Sequence, residues 1–129
     1  MILVDSSVWI DFFNGKDADH VEKLYQLLGH ELIISGDLIS VEVLQGFKND
    51  SQFQKAKTAF ESLPYFTLIN KETALIAAEN YRILRKNGIT VRKTIDVIIA
   101  TFCIANNIRL LHADKDFQVM EEHLGLRSI

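Results

Sequence analysis

The apolar residues of this chain fall into short continuous runs, separated by segments in which they recur every three or four residues. The runs are too short for stable helices, and turn residues such as Ser35-Gly36 follow them, which is typical of buried strands. We predict strands at Met1–Val4, Leu32–Ile34, Tyr65–Ile69 and Arg109–His112, with Leu126–Ser128 as a candidate fifth strand.

The segments between these runs have helical periodicity and helix-stop residues. In Lys71–Asn87, for example, the spacing places Ala74, Leu75, Ala78, Tyr81 and Leu84 on the inward face, and Gly88 follows as the stop. Thr94–Asn107 is apolar nearly all round, which indicates a buried helix. The predicted helices are Ser7–Phe13, Asp19–Leu28, Asp37–Phe47 with Asp37 as its N-cap, Ser51–Leu63, Lys71–Asn87, Thr94–Asn107 and Phe117–Leu124.

Strands that alternate with helices predict an α/β fold with a parallel sheet of four to five strands, covered by helices on both faces. We expect one such α/β/α sandwich domain over residues 1–129, because the chain contains one proline and no linker-like stretch. In parallel sheets, ligands collect at the carboxyl ends of the strands.

Composition narrows the class of protein. The chain is 48% hydrophobic and 24% charged, as expected of a globular domain, and we expect neither a signal peptide nor a segment that spans a bilayer. Its single cysteine, Cys103, cannot form an internal disulfide, which fits a reducing, cytoplasmic location. A formal net charge of −3 argues against a protein that coats nucleic acid non-specifically.

Four acidic residues stand within or directly after apolar segments: Asp5, Glu42, Asp96 and Asp114. Burying a carboxylate is costly unless something pairs with it, and four that converge would repel one another. Clustered oxygen ligands suit Mg²⁺ or Mn²⁺. Taken singly, Asp96 could stabilise a helix N-terminus, Asp5 could cap a helix, and Asp114 could be a turn residue. A purely structural role is least convincing for Glu42, because this residue lies within an apolar stretch and needs a partner. We therefore favour a metal site.

Four segments together resemble the PIN-domain nucleases, and specifically the VapC toxins of bacterial and archaeal toxin–antitoxin pairs. The matching segments are Ile2–Ile10, Ile39–Gly46, Asp96–Ala100 and Leu110–Phe117, in family order and spacing. The resemblance implies metal-dependent RNA cleavage, a homodimer and inhibition by a small antitoxin protein. It places the metal-binding acids at Asp5, Glu42, Asp96 and Asp114, with Ser6 as a supporting residue. Asp116 matches a position that is often but not always acidic.

RNA hydrolysis at such a site needs an activated water and relief of the charge on the phosphate, which one or two divalent ions can supply. We expect Asp5 and Asp96 to be direct metal ligands, and Asp114 to share that role or to act through water. Glu42 would orient water or complete a second metal site.

A basic segment, Arg82–Lys93, carries five positive charges and leads into the helix that bears Asp96. Its position predicts contacts with the RNA backbone from Arg85, Lys86, Arg92 and Lys93. The alternative is that this basic segment is only a charged, solvent-exposed surface with no role in RNA binding.

The remaining residues of chemical interest have simpler interpretations. The histidines at positions 20, 30, 112 and 123 lack ligand spacing and are interpreted as surface or structural residues. Cys103 and Trp9 are interpreted as core residues. A groove for the antitoxin could be lined by the apolar residues Leu44, Phe47, Phe53 and Phe60, although for any single one of them we favour a place in the core or in a dimer interface.

Other functions remain open at this level. A binding module of the same fold, without cleavage, would be expected to lack one or more of the four acids. A phosphotransfer domain of the receiver type needs paired acids after its first strand, where Asp5 stands alone. A PIN-like RNA-processing nuclease without an antitoxin, or a nuclease that acts on DNA, would use the same phosphodiester chemistry.

Overall fold

Four parallel strands form the central sheet, in the spatial order β3-β2-β1-β4. The computed structural model describes residues 1–129. β1 lies between β2 and β4, so Leu3 is paired with both Ile34 and Leu110. The strands are β1 (Ile2–Val4), β2 (Ile33–Gly36), β3 (Tyr65–Phe66) and β4 (Arg109–Leu111).

Seven helices flank the sheet, which confirms the predicted α/β fold. They are α1 (Ser6–Phe13), α2 (Asp19–Leu27), α3 (Asp37–Leu44), α4 (Asp50–Glu61), α5 (Lys71–Lys86), α6 (Thr94–Ala105) and α7 (Lys115–Leu124). No helix is both long and apolar enough to cross a membrane.

The core lies on both faces of β1 and around α6. Every residue of β1 is fully buried, as a strand covered on both faces must be. Helix α6 is buried over nearly its whole length, which explains why its sequence is apolar all round.

The inward face of α5 differs from the prediction. Ala77 and Leu84 are the buried residues, whereas Leu75 is 61% exposed and Ala78 is also exposed. Ala77, Tyr81 and Leu84 are spaced by four and three residues and share one side of the helix. Ala74 and Ala78 lie beside the side of the helix formed by Ala77, Tyr81 and Leu84, so the sequence alone left the inward face of α5 ambiguous.

The segment around β3 corrects three further expectations. Asp37 is the first residue of α3 rather than its N-cap, which is Gly36, and the helix ends at Leu44 rather than Phe47. The Asp37 carboxylate accepts the backbone N–H groups of Leu38 and Leu68 at 2.8 and 3.0 Å. Because the Leu68 N–H is engaged there rather than with a neighbouring strand, β3 stops after two residues.

The candidate fifth strand is reduced to a single bridge. Ser128 pairs with Leu110 in parallel orientation, and the flanking backbone of Arg127 and Ile129 hydrogen-bonds to Leu110. The chain end therefore adds to the outer edge of β4 without forming a strand.

Candidate active site

Asp5 lies at the carboxyl end of β1 and caps α1. Its Oδ2 accepts the Ser7 backbone N–H at 3.2 Å and the Ser7 hydroxyl at 2.6 Å. Its own N–H donates to the carbonyl of Leu111 at the end of β4. The residue is 4% exposed, and its Oδ1 is buried without a hydrogen-bond partner. The fold thus fixes this carboxylate rigidly while one oxygen stays free to bind a ligand.

Asp96 lies in the first turn of α6 and is 2% exposed. Its Oδ2 is a second buried carboxylate oxygen without a partner. Burial, followed by the negative charge of Asp5, raises the pKa of Asp96 to about 7, and Asp114 and Glu42 add to the effect. Lys93 opposes it. The other three predicted acids therefore all act on Asp96 electrostatically.

Glu42 projects from the middle of α3, a helix that begins directly after β2. The hydroxyl of buried Ser6 donates to its Oε1 at 3.1 Å. Burial raises the pKa of Glu42, and the charge of Asp5 raises it further, against the effects of Ser6 and Lys93. Ser6 thus contacts the acid cluster through Glu42.

Asp114 and Asp116 complete the cluster at the start of α7. Asp114 follows β4 and caps α7, where its Oδ1 accepts the Asp116 N–H at 2.9 Å. Carboxylate oxygens of Asp96, Asp114 and Asp116 all lie within 4.8 Å of one another. Asp116, which the sequence left open, therefore lies among the acids.

The basic segment divides into two parts. Arg92 reaches the acids directly, at 3.6 Å from Asp114 and 3.3 Å from Asp116, and Lys93 acts on Asp96 and Glu42 through its charge. Arg85 instead lies over the ring of Tyr81, 5.8 Å from its centroid. Lys86 is exposed at the last residue of α5.

Two open cavities lie outside the acid cluster. One, of about 490 Å³, lies between α5 and α6 and has Ala77, Tyr81, Arg82, Arg85 and Ile98 in its lining. The other, of about 380 Å³, lies beside α3 and α4 and is lined by Ser40, Leu44, Lys57, Phe60, Glu61, Leu63 and Tyr65.

The predicted antitoxin groove is present only in part. Leu44 and Phe60 line the second cavity, but Phe47 and Phe53 do not. Phe47 instead packs against Phe13, with ring centroids 5.8 Å apart.

Trp9 and Cys103 are core residues, as predicted. Trp9 packs between Phe13 and Phe60, at centroid distances of 5.8 and 5.2 Å. Cys103 is fully buried, and burial raises the pKa of its thiol to about 12, so the thiolate form is strongly disfavoured.

Two residues that hold these acids were missed by the sequence analysis. Ser7 fixes Asp5, and only the spacing of two residues after an aspartate could have suggested it. His112 accepts the N–H of Asp114 at 3.3 Å. No local pattern marks His112, because its other partners lie 9 and 16 residues away in sequence.

The arrangement is suited to a hard divalent cation. Its acidic groups offer only oxygen ligands, and buried Oδ1 of Asp5 and Oδ2 of Asp96 lack any partner within the protein. A buried carboxylate without a partner is unstable, and a cation bound between such groups would satisfy it. Burial, and then the negative charge of Asp5, raises the pKa of both Glu42 and Asp96, and a bound cation would offset these effects.

Comparison with known proteins identifies relatives over the whole chain. A family model described as "PIN domain" matches residues 2–122. Ribonuclease VapC11 of Mycobacterium tuberculosis (strain ATCC 25618 / H37Rv) is 29% identical over 130 residues, which cover 99% of this chain and 97% of the relative. VapC ribonuclease Mb1587 of Mycobacterium bovis is similar to the same extent, 29% over 130 residues.

Solved structures of toxin–antitoxin complexes share the fold. VapBC2 from Rickettsia felis, bound to a DNA fragment from their promoter, superposes with a TM-score of 0.79 at 19% identity, over 100% of this chain and 98% of that chain. VapBC-1 from nontypeable Haemophilus influenzae superposes with a TM-score of 0.74 at 21% identity, over 100% and 97%.

Proposed function

This chain belongs to the PIN domain family, and we propose that it is a divalent-metal-dependent endoribonuclease that acts as the toxin of a toxin–antitoxin pair. The observation that carries the proposal is the environment of Asp96, whose pKa is raised by burial and then by the charges of Asp5, Asp114 and Glu42. Its carboxylate also lies within 4.8 Å of those of Asp114 and Asp116. The curated relatives, named as ribonucleases and similar over nearly the whole chain, support the reaction.

Asp5, Asp96 and Asp114 are the proposed metal ligands, and Mg²⁺ or Mn²⁺ is the proposed ion. The two unpartnered carboxylate oxygens belong to Asp5 and Asp96. Asp114 offers the oxygen that does not accept the Asp116 N–H. Asp116 lies close enough to contribute a further oxygen or to hold bound water.

The bound cation would supply a water of lowered pKa and neutralise charge on the phosphate. Glu42 is the proposed base for the attacking water, because its raised pKa suits a group that accepts a proton. Ser6 holds Glu42 in place through its hydroxyl. The ion pairs of Arg92 with Asp114 and Asp116 would loosen as the cation neutralises these acids, which frees Arg92 for the substrate.

We assign Arg85, Lys86, Arg92 and Lys93 to the grip on the RNA backbone. Arg92 and Lys93 lie directly at the acids and would contact the phosphates next to the cleaved bond. Arg85 and Lys86, at the end of α5, would contact phosphates further along the strand. Positive side chains placed along the path of an RNA strand contact its phosphates, and such contacts do not depend on the base sequence.

A small antitoxin protein is the proposed inhibitor. A further solved neighbour, which superposes with a TM-score of 0.71 at 18% identity, is named as a toxin–antitoxin complex from Klebsiella pneumoniae, which supports a partner of this kind. The cavity beside α3, with Leu44, Phe60 and Leu63 in its lining, is the proposed seat for an apolar segment of that partner. Since Glu42 lies on the same helix as Leu44, a basic residue of the bound segment could reach the acids.

A homodimer in the cytoplasm is the proposed state of the free protein. The cavity between α5 and α6, together with Leu75, exposed on the surface of α5, offers an apolar face for a second copy. The mass of the purified chain in solution, measured by sedimentation, tests this.

Cleavage of RNA by the purified chain tests the proposed reaction. Asp5→Asn, Glu42→Gln, Asp96→Asn and Asp114→Asn should each lower the cleavage rate by about 100-fold or more, since each removes a group that binds the cation or the water. Chelation of divalent ions should abolish cleavage in the wild type.

Matched controls come from α2, where Asp19 occupies the first turn and Glu22 follows, both exposed. Asp19→Asn and Glu22→Gln should cleave RNA at the wild-type rate. Wild-type rates in all four site variants, with unchanged circular dichroism, would exclude this site. Binding of RNA without cleavage would point to a binding module.

A further inference from the structure

His112 lies directly after β4 and two residues before Asp114, and its side chain is 7% exposed. Each ring nitrogen has a partner. Nδ1 accepts the backbone N–H of Asp114 at 3.3 Å, and Nε2 lies 2.8 Å from Oε1 of Glu121 and 3.1 Å from Oγ of Ser128. Phe117 packs against the ring, with centroids 5.0 Å apart. The imidazole is thus held in one orientation from three sides.

These partners fix the tautomer of the ring. A backbone N–H can only donate, so Nδ1 must carry the lone pair, and the hydrogen of the neutral ring lies on Nε2. The Glu121 carboxylate is the matching acceptor. Burial disfavours its charged form, but the hydrogen bonds from Ser128 and His112, together with the charge of His112, outweigh burial, and the pKa of Glu121 is lowered. The opposite tautomer would turn an N–H toward the N–H of Asp114.

The contact reaches the backbone of a proposed metal ligand. Asp114 is the N-cap of α7, so the orientation of its carboxylate depends on where its backbone leaves β4. The Asp116 N–H holds the side chain through Oδ1, and His112 holds the main chain. Glu121, on α7, links the same imidazole to the helix that Asp114 starts.

We propose that His112 is a positioning residue for Asp114: its Nδ1 lone pair holds the Asp114 backbone in the conformation that presents the carboxylate to the cation, and Glu121 selects the tautomer that makes this possible. The inference rests on the proposed function only in treating Asp114 as a metal ligand. Hydrogen-bonded partners of ligating residues orient those residues, and their removal lowers metal affinity about 10- to 100-fold in other proteins.

The tautomer can be measured directly in the wild-type chain. Nitrogen-15 NMR of the imidazole of His112 distinguishes a ring protonated at Nε2 from one protonated at Nδ1. The proposal requires the Nε2–H form in the folded protein at neutral pH. A ring protonated at Nδ1 would overturn it, whatever the variants described below do.

Two substitutions separate the two nitrogens. In His112→Asn, Oδ1 takes the place of Nδ1 and can still accept the Asp114 N–H. In His112→Gln, the amide can reach Glu121, but no acceptor stands at the δ position. By calorimetric titration with Mn²⁺, His112→Gln should bind about 10-fold or more weakly, whereas His112→Asn should retain near wild-type affinity.

The control is Ser128→Ala, which removes the 3.1 Å contact of Ser128 Oγ with Nε2 of His112 but leaves Glu121 beside Nε2 and Nδ1 untouched. It should bind Mn²⁺ as the wild type does. A purely structural role for His112 would lower the affinity of both His112 variants in step with their melting temperatures. That result, or wild-type affinity in His112→Gln, would overturn the proposal. Absence of RNA cleavage by a wild type that binds Mn²⁺ would instead contradict the proposed reaction and leave this inference standing.

Discussion

At the scale of single residues, the site is distinguished by what its carboxylates lack. Asp5 and Asp96 are 4% and 2% exposed, and each has one oxygen with no partner in the protein. The backbone N–H and the hydroxyl of Ser7 donate hydrogen bonds only to the other oxygen of Asp5, Oδ2. A chain that buries charge in this way is less stable than it could be, which is usual where function requires the charge.

The first prediction concerns Asp96 and pH. Because burial and Asp5 raise its pKa to about 7, the folded chain holds a proton on Asp96 that the unfolded chain releases near its ordinary pKa of about 4. Without divalent ions, the free energy of unfolding of the wild type should therefore fall as the pH rises from about 4 to about 7. Asp96→Asn should show a smaller fall, by up to a few kcal/mol at about 1.4 kcal/mol for each pKa unit.

Denaturant unfolding at several pH values, with a chelator present, measures this difference. Asp19→Asn serves as the control, because Asp19 is exposed in the first turn of α2. If the free energy of unfolding of the wild type and of Asp96→Asn changed with pH in parallel, the pKa of Asp96 would not be the cause of the pH dependence. Added Mn²⁺ should stabilise the wild type by mass action at pH 7 and stabilise Asp96→Asn much less.

At the scale of elements, three helix N-termini meet at the carboxyl edge of the sheet. Asp5 caps α1, Asp96 lies in the first turn of α6, and Asp114 caps α7. The partial positive charge at each N-terminus stabilises a nearby carboxylate, by about 0.3–1 kcal/mol for a typical exposed pair. This offsets part of the repulsion among the acids, and it explains why each acid taken singly resembles an ordinary capping residue.

The second prediction concerns the basic segment. Changing Arg85, Lys86, Arg92 and Lys93 to Ala should weaken RNA binding and flatten its dependence on salt. On single-stranded RNA, the slope of log K against log salt should fall by about 0.7 for each phosphate that the variant no longer neutralises. Binding measured by fluorescence anisotropy at several salt concentrations gives this slope.

The four basic residues should not contribute equally. Arg92 already pairs with Asp114 and Asp116 when no cation is bound, so its contribution to RNA binding should grow when Mn²⁺ is added. The control is a double variant, Lys23→Ala and Lys55→Ala, which removes exposed charges from α2 and α4. A salt slope in the quadruple variant equal to that of the wild type would mean that the segment is only a solvated face.

At the scale of the whole molecule, the question is how the cell controls such an enzyme. An unregulated ribonuclease harms its host, so a partner that covers the acids is a requirement of the proposed function. The third prediction is that induced expression of the wild type slows growth and that Asp5→Asn does not, because the variant lacks a carboxylate of the site. The proposed antitoxin is expected to be a small protein encoded beside this chain, and its co-expression should restore growth.

Glu22→Gln, on the surface of α2, should remain as toxic as the wild type. Equal slowing of growth by the wild type and Asp5→Asn would show that toxicity does not come from the site. If the neighbouring product forms no complex with the chain, a general RNA-processing nuclease becomes the better account.

Local sequence patterns were enough to predict the α/β architecture and to associate two of the four acids with the ends of strands. Short apolar runs alternate with helical periodicity, which predicts parallel strands and the edge at which ligands gather. Asp5 directly follows the first of those runs and Asp114 comes two residues after the fourth, and the structure places them just beyond the carboxyl ends of β1 and β4.

Features that depend on residues far apart in the chain emerged only in the folded molecule. The Asp37–Leu68 contact shortens β3, and the packing of α5 buries Ala77 instead of Leu75. Arg92 turns toward Asp116, 24 residues away. The physical reason is the same in each case. A contact between distant residues, whether a hydrogen bond, an ion pair or apolar packing, leaves no periodic trace in the sequence, so only the folded chain reveals which partner each side chain finds.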